Sequence, residues 1–224
     1  MRGFDIKQIR LRSFQISGLT AKWGIGDSRK PPIWDNNLIG RWDARTFPDG
    51  NLATIPNTAT MAGKAPDLTV TGATMEKGTL QFDGVDDEAF TEAFVFPDRF
   101  TVFWDVDWLG TERLNAGIGH AHNIRLLNYI TQSQLMVYLK RTTGAAAIPN
   151  TSVAMSSSGQ VYARSGGKTP FGGTVGTGQF PASPLTIARD GEVFTQMGFR
   201  QLLIFNKELS QAEVNDVLRV MFPA

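Results

Sequence analysis

Cysteine is absent from this 224-residue chain. That removes a disulfide framework, a thiolate metal centre and a cysteine nucleophile at one stroke, and leaves the redox compartment open. Histidine is scarce: His120 and His122 are the only two. Two apart on a strand, they could share a side and hold a metal, but no third ligand is identifiable, so turn or surface histidines are expected. No block of Lys or Arg stands out, and 22 basic against 21 acidic residues leave a net charge of +1. The footprint for a phosphate backbone is missing, so no nucleic-acid partner is expected. No apolar run approaches the roughly 18–20 residues that span a bilayer, so no membrane partner is expected either. The start, MRGFDIKQIRLRSF, carries charges where a secretory leader needs an apolar stretch, and reads as having no signal peptide.

Present instead are 23 Gly and 11 Pro punctuating short runs of Val, Ile, Phe, Trp, Thr and Leu, the pattern of many strands joined by turns. Apolar residues at 42% supply a core for one all-β domain, a class that reaches roughly 200–250 residues. The clearest strand is Phe100 to Leu109. There Val102, Trp104, Val106 and Trp108 share a face directed at the core, while Thr101, Phe103, Asp105 and Asp107 share the face directed at water or a ligand. Other strands are expected at 38–43, 79–82, 89–94, 124–130, 135–140, 152–155, 161–163, 185–189 and 201–205. Helical spacing is confined to the end: Ser210 offers an N-cap with Glu213 three residues on, and Val214, Val217, Leu218 and Met221 follow. Residues 144–184 are rich in Ser, Gly, Thr and Pro and read as long loops around weak strands. Residues 1–33 read as an N-terminal arm or linker ending at Pro31-Pro32, with the potential to join copies into a homo-oligomer, and residues 34–224 as the domain.

Two stretches carry a resemblance. Leu80-Gln81-Phe82-Asp83-Gly84-Val85-Asp86-Asp87 followed by Phe100-Thr101-Val102-Phe103-Trp104, and Phe199 to Phe205 running into Asn206-Lys207-Glu208-Leu209-Ser210-Gln211-Ala212-Glu213-Val214, resemble the LamG-like, concanavalin A-like jelly-roll superfamily. The resemblance implies a two-sheet antiparallel jelly-roll sandwich with one short C-terminal helix. It says little about function, since such folds host many.

A search for chemistry gives little that is catalytic. Asp83-Gly84 suits a turn, Gly taking a positive φ and Asp bonding its own following backbone. Asp83, Asp86 and Asp87 are therefore read first as turn formers and second as calcium ligands; no cofactor is required. Laminarinase-like hydrolases on this fold carry Glu-x-Asp-x-(x)-Glu, because retaining glycoside hydrolysis needs two carboxylates about 5–5.5 Å apart. That string is absent here, and Asp105 and Asp107 lack an accompanying Glu. Gly167-Lys168-Thr169 lacks the earlier glycine and the following helix of a phosphate-binding loop. No Gly-x-Ser-x-Gly elbow exists.

These readings converge on a non-catalytic recognition or structural module, lectin-like in binding carbohydrate or protein through its loops or concave sheet. Phe103, Asp105, Asp107, Tyr129 and Tyr138 are the candidate ligand-binding residues, since ring faces stack on sugars while polar groups take hydroxyls. A cysteine-free surface-type domain with an N-terminal arm also suits a bacteriophage capsid or tail accessory protein. The expected location is then a virion or extracellular surface, with other virion proteins as partners. The alternative is a glycan-active enzyme on the same fold.

Overall fold

A computed structural model describes residues 33–109, 115–120, 124–129, 134–139, 146–149, 151–173, 175 and 181–223. The arm read over residues 1–33 lies almost wholly outside the described residues, and so does His122. Two antiparallel sheets make up the domain. The nine-stranded sheet runs in the order β15 (Lys168–Pro170), β14 (Gln160–Ala163), β13 (Ser152–Ser156), β8 (Thr101–Trp108), β19 (Gln196–Phe205), β6 (Thr79–Asp83), β5 (Thr74–Glu76) and β2 (Gly50–Asn51), with β1 (Leu38–Asp43) also paired to β19. The eight-stranded sheet runs β12 (Ala146–Pro149), β11 (Gln134–Leu139), β10 (Ile124–Tyr129), β9 (Asn115–His120), β16 (Leu185–Ile187), β7 (Glu88–Thr91), β4 (Leu68–Thr71) and β3 (Thr54–Ile55). A ribbon of β17 (Arg189–Asp190) and β18 (Val193–Phe194), a 3-10 turn at Ala44–Thr46 and two α-helices, α1 (Ile33–Asn37) and α2 (Gln211–Met221), complete the described elements. The all-β two-sheet sandwich with a short C-terminal helix is therefore the observed architecture.

Strand alternation places the core. Val102 and Trp104 of β8 are buried in the main cluster with Trp42, Phe82, Leu126, Val137, Ile187, Phe199 and Leu202, and Val106 and Trp108 pack against its edge. At about 25 cal/mol per Å² of apolar surface, this inter-sheet layer is the largest source of stability, and it demands the register seen. A one-residue slip of β8 would put Asp105 among these side chains.

A second apolar layer lies on the opposite face of β8 and β19, where α2 packs. Ser210 caps the helix, its hydroxyl accepting from the Glu213 N–H while the Glu213 carboxylate accepts from the Ser210 N–H. Val214, Val217, Leu218 and Met221 then face Phe103, Leu203, Phe205 and Tyr162. This corrects one expectation. The N-terminal half of β8's second face does not meet water or ligand: Phe103 is fully buried beneath the helix layer. Thr101 is buried as well, donating to Lys207 O and accepting from Leu209 N. Between 144 and 184 the strands expected at 152–155 and 161–163 form as β13 and β14, and β12 and β15 pair where loops were expected. None of the described helices is long and apolar enough to cross a membrane.

Candidate functional site

Beyond the C-terminal end of α2, the outer face of the nine-stranded sheet turns from apolar to charged. The change begins at a β-bulge in β19. Phe199 pairs with Val106 and Gln201 with Asp105, leaving Arg200 as the extra residue. Phe199 and Leu202 both face the main core, so two consecutive residues, Arg200 and Gln201, lie on the outer side, a re-aiming that bulges produce. Arg200 thereby reaches both aspartates of β8. Its Nε and Nη2 donate to Asp105 Oδ1 at 3.0 and 2.8 Å, Nη2 donates to Asp107 Oδ1 at 2.9 Å, and Nη1 donates to Asp107 Oδ2.

The cluster continues across the strands. Asp43 of β1 accepts from the Gln201 amide at 3.0 Å and from Arg45 Nε and Nη2, both at 2.8 Å. Arg45 also donates to the last carbonyl of α2, Met221 O, at 3.2 Å. The electrostatics follow from these contacts. The hydrogen bonds from Arg200 hold the Asp107 carboxyl below its ordinary value, outweighing partial burial. Arg200 is in turn raised, first by Asp107 and then, against burial, by Asp105. Burial opposes the charge on Arg45, but the hydrogen bond and charge of Asp43 outweigh it and leave the guanidinium above its ordinary value. Such a network is costly to break and cheap to keep, because each buried charge has its partners in place.

Beside this cluster the sheet opens. β13 pairs with β8 only at Thr101, Val102 and Phe103, so from Trp104 onward β8 leaves a gap on that side. A depression of about 310 Å³ fills it, rimmed by Asp105, Asp107, Thr151, Ser152, Arg164 and Arg200. Trp108, half-buried at the edge of the core, contributes apolar wall, and Trp104 lies buried behind it. The side chain of Asp107 is 50% exposed and that of Arg164 60%, whereas Asp105 is 7% exposed. Ligand-accessible groups therefore stand on a fixed charged base.

The residues singled out from the sequence do not converge. Asp105 and Asp107 come together at this depression. Phe103 presents no ring face to a ligand, because α2 covers it. Tyr138 is half-buried on the other sheet, where it pairs with Arg125, whose guanidinium carbon lies 5.4 Å from the ring centre. Tyr129 pairs with Gln134 in the same sheet, and its side chain is outside the description. Reasoning from sequence missed Arg200, Gln201 and Arg164. For Arg200 and Gln201 the signal was present: in Met197-Gly-Phe-Arg-Gln-Leu-Leu-Ile-Phe205 the apolar alternation skips one residue, which is the mark of a bulge.

Asp83, Asp86 and Asp87 do gather, with one carboxylate oxygen of each within 4.8 Å of the others. Asp83 Oδ1 accepts from Val85 N at 2.7 Å and Asp87 Oδ2 accepts from Asp83 N at 2.9 Å. Gly84 takes the positive φ, +83°, that the turn needs. Burial, and then the neighbouring Asp83 and Asp86 charges, push the Asp87 carboxyl up against that backbone hydrogen bond. Hard oxygen donors of this kind suit calcium by chemistry, yet two of the three carboxylates are already engaged in closing the turn. His120 is buried, Nε2 lying 3.2 Å from Phe94 O and the ring 4.8 Å from those of Phe94 and Phe96. It is a core histidine at the sheet's middle.

No protein-family model matches the chain, and no curated protein matches it. Solved structures do. The chain is similar to Trypanosoma rangeli sialidase in complex with sialic acid, with 14% identity and a TM-score of 0.60 over 81% of this chain and 32% of that one. It is also similar to the botulinum neurotoxin serotype D binding domain, with 12% identity and a TM-score of 0.57 over 82% of this chain and 51% of that one. The chain thus spans about a third of the sialidase and about half of the toxin domain. At these identities the likeness is one of fold.

Proposed function

We propose that the protein is a non-catalytic recognition module that binds carbohydrate in the depression beside β8. One observation carries this reading: Arg200 fixes Asp105 and Asp107 at the rim of an open depression that also offers hydroxyl groups and the half-buried Trp108. Rigid carboxylates accept hydrogen bonds from vicinal hydroxyls, and the exposed part of an indole packs against the apolar face of a pyranose. The same clamp argues against acid–base chemistry at this pair. A general acid needs its carboxyl raised, and the Asp107 carboxyl is pushed the other way. The solved structures of similar fold include one bound to sialic acid and one named as a binding domain, which is compatible with recognition and decides nothing about catalysis.

The test is an array of neutral and acidic oligosaccharides probed with the wild type and with Asp107→Ala, alongside a reducing-end assay. Binding to a defined subset, lost in the variant, with no release of reducing ends, supports the proposal. Turnover that disappears in Asp107→Ala contradicts it. A virion or other extracellular surface as the setting belongs to the same proposal, on the strength of the cysteine-free composition and surface-type fold. Immunogold labelling of virus particles purified from cultures that express the chain tests that part: label on the particles supports it, and label confined to the cells contradicts it.

A further inference from the structure

A second depression, also of about 310 Å³, lies on the other side of Arg164, between the β14–β15 hairpin and the C-terminal half of α2. Its chemistry differs from that of the first. Arg164, Ser165, Asn215 and Arg219 rim it over a floor of Leu218 and Phe222, and no carboxylate lines it among the described residues. Donors there are left over. The nearest carboxylate to Arg164 is Asp105 at 3.6 Å, beyond a good hydrogen bond, and its guanidinium carbon sits 4.0 Å over the Phe222 ring. Among the described residues Arg164 therefore has no hydrogen-bond acceptor. Asn215 uses its Oδ1 to accept from Gln211 Nε2 at 3.0 Å, which leaves the two Nδ2 hydrogens uncommitted. Gln211 Nε2 also donates to Gly166 O at 3.0 Å, and a Cβ on Gly166 would meet Asn215 Oδ1 at 2.8 Å. The hairpin tip is held tightly against the helix, so the rim is fixed. Arg219 spends Nη1 on Asp216 at 2.7 Å, and that carboxylate lies outside the lining.

We infer that this donor-rimmed depression takes the carboxylate of an acidic sugar, and that the two depressions, sharing Arg164, form one extended site for a carboxylated oligosaccharide. The inference rests on the carbohydrate reading above and names the ligand class. With its guanidinium carbon over the Phe222 ring and no hydrogen-bond acceptor among the described residues, Arg164 keeps its N–H fork for a planar carboxylate. The Leu218–Phe222 floor suits the C–H face of the ring that bears it. In the first depression Asp105 and Asp107 balance Arg164 and Arg200, so that half suits neutral hydroxyls.

The experiment is calorimetric titration of the full chain with trigalacturonate, its methyl ester, neutral maltotriose and inorganic phosphate. The variants are Arg164→Gln and Asn215→Asp. The second keeps the acceptor for Gln211 and replaces the free donors with a carboxylate, and a thermal melt confirms that each variant folds. The expected result is that trigalacturonate binds, that its Kd rises at least tenfold in both folded variants and on methyl esterification, and that binding weakens with added salt. Equal affinity for the ester, or indifference to both variants, overturns the inference, as does binding of phosphate without trigalacturonate. Maltotriose binding without trigalacturonate binding overturns it while leaving the carbohydrate reading standing. No saccharide binding at all overturns both.

Discussion

Replacing Arg200 with Met keeps most of the aliphatic stem and deletes the guanidinium that engages both β8 aspartates. Asp105, only 7% exposed at its side chain, would lose its 2.8 and 3.0 Å bonds and keep only Arg164 at 3.6 Å. Stripping one partner from a buried pair costs about 3–5 kcal/mol. Asp107 adds little, since an ion pair to a half-exposed carboxylate is worth about 0–1 kcal/mol. With Arg164 and the charge of Arg45 still near Asp105, the lower end, about 3 kcal/mol, is the expected loss. In urea, with m of about 2–3 kcal/mol/M, the midpoint falls by about 1–1.5 M at pH 7. The pH dependence has a sign. Arg200 lowers the Asp107 carboxyl in the folded state, so the stability it contributes is full above the unfolded value near 3.9 and is lost as pH falls through the folded one. The gap between wild type and variant should therefore narrow below about pH 4. Adding Asp105→Asn should recover part of the loss, because the stranded charge goes too. A midpoint shift under about 0.3 M, or double-variant losses that simply add, would refute the account of the clamp.

Three further outcomes follow from the packing. Trp104→Ala should destabilise by about 3–5 kcal/mol in chemical denaturation, since the indole is 1% exposed between the sheets. Ser210→Ala should cost about 1 kcal/mol and speed amide exchange in the first turn of α2, because the capping box loses its acceptor. Burial lowers the His120 pKa despite its backbone hydrogen bonds. Its contribution is thus present above the unfolded value of about 6.5 and lost as pH falls toward the folded one, so a melt series in wild type should steepen there and flatten in a folded His120→Gln variant.

How much of this was legible in the sequence depended on whether the deciding contacts were local. The β8 alternation and the capping box at Ser210 and Glu213 are set by neighbours along the chain, and both appear as read. The Asp83-Gly84 turn is equally local. Phe103 was misread because its fate depends on α2, more than a hundred residues away in the chain, returning to cover half of the sheet's outer face. Glycine-rich β9 was invisible to propensity, with its Asn115–His120 run, and holds its place through pairing on both sides with β10 and β16. Asp105 and Asp107 could be put on one face from the period of two, but not joined to Arg200 or Arg164. Those partners come from strands and hairpins set beside β8 by topology, and Arg200 reaches it only through the bulge.

The most direct test of the central claim is amide chemical-shift mapping with the best saccharide from the array. Perturbations are expected to concentrate at Asp105–Trp108, Thr151–Val153, Arg164 and Arg200. Shifts centred instead on Arg125 and Tyr138, on the outer face of the opposite sheet, would contradict that claim.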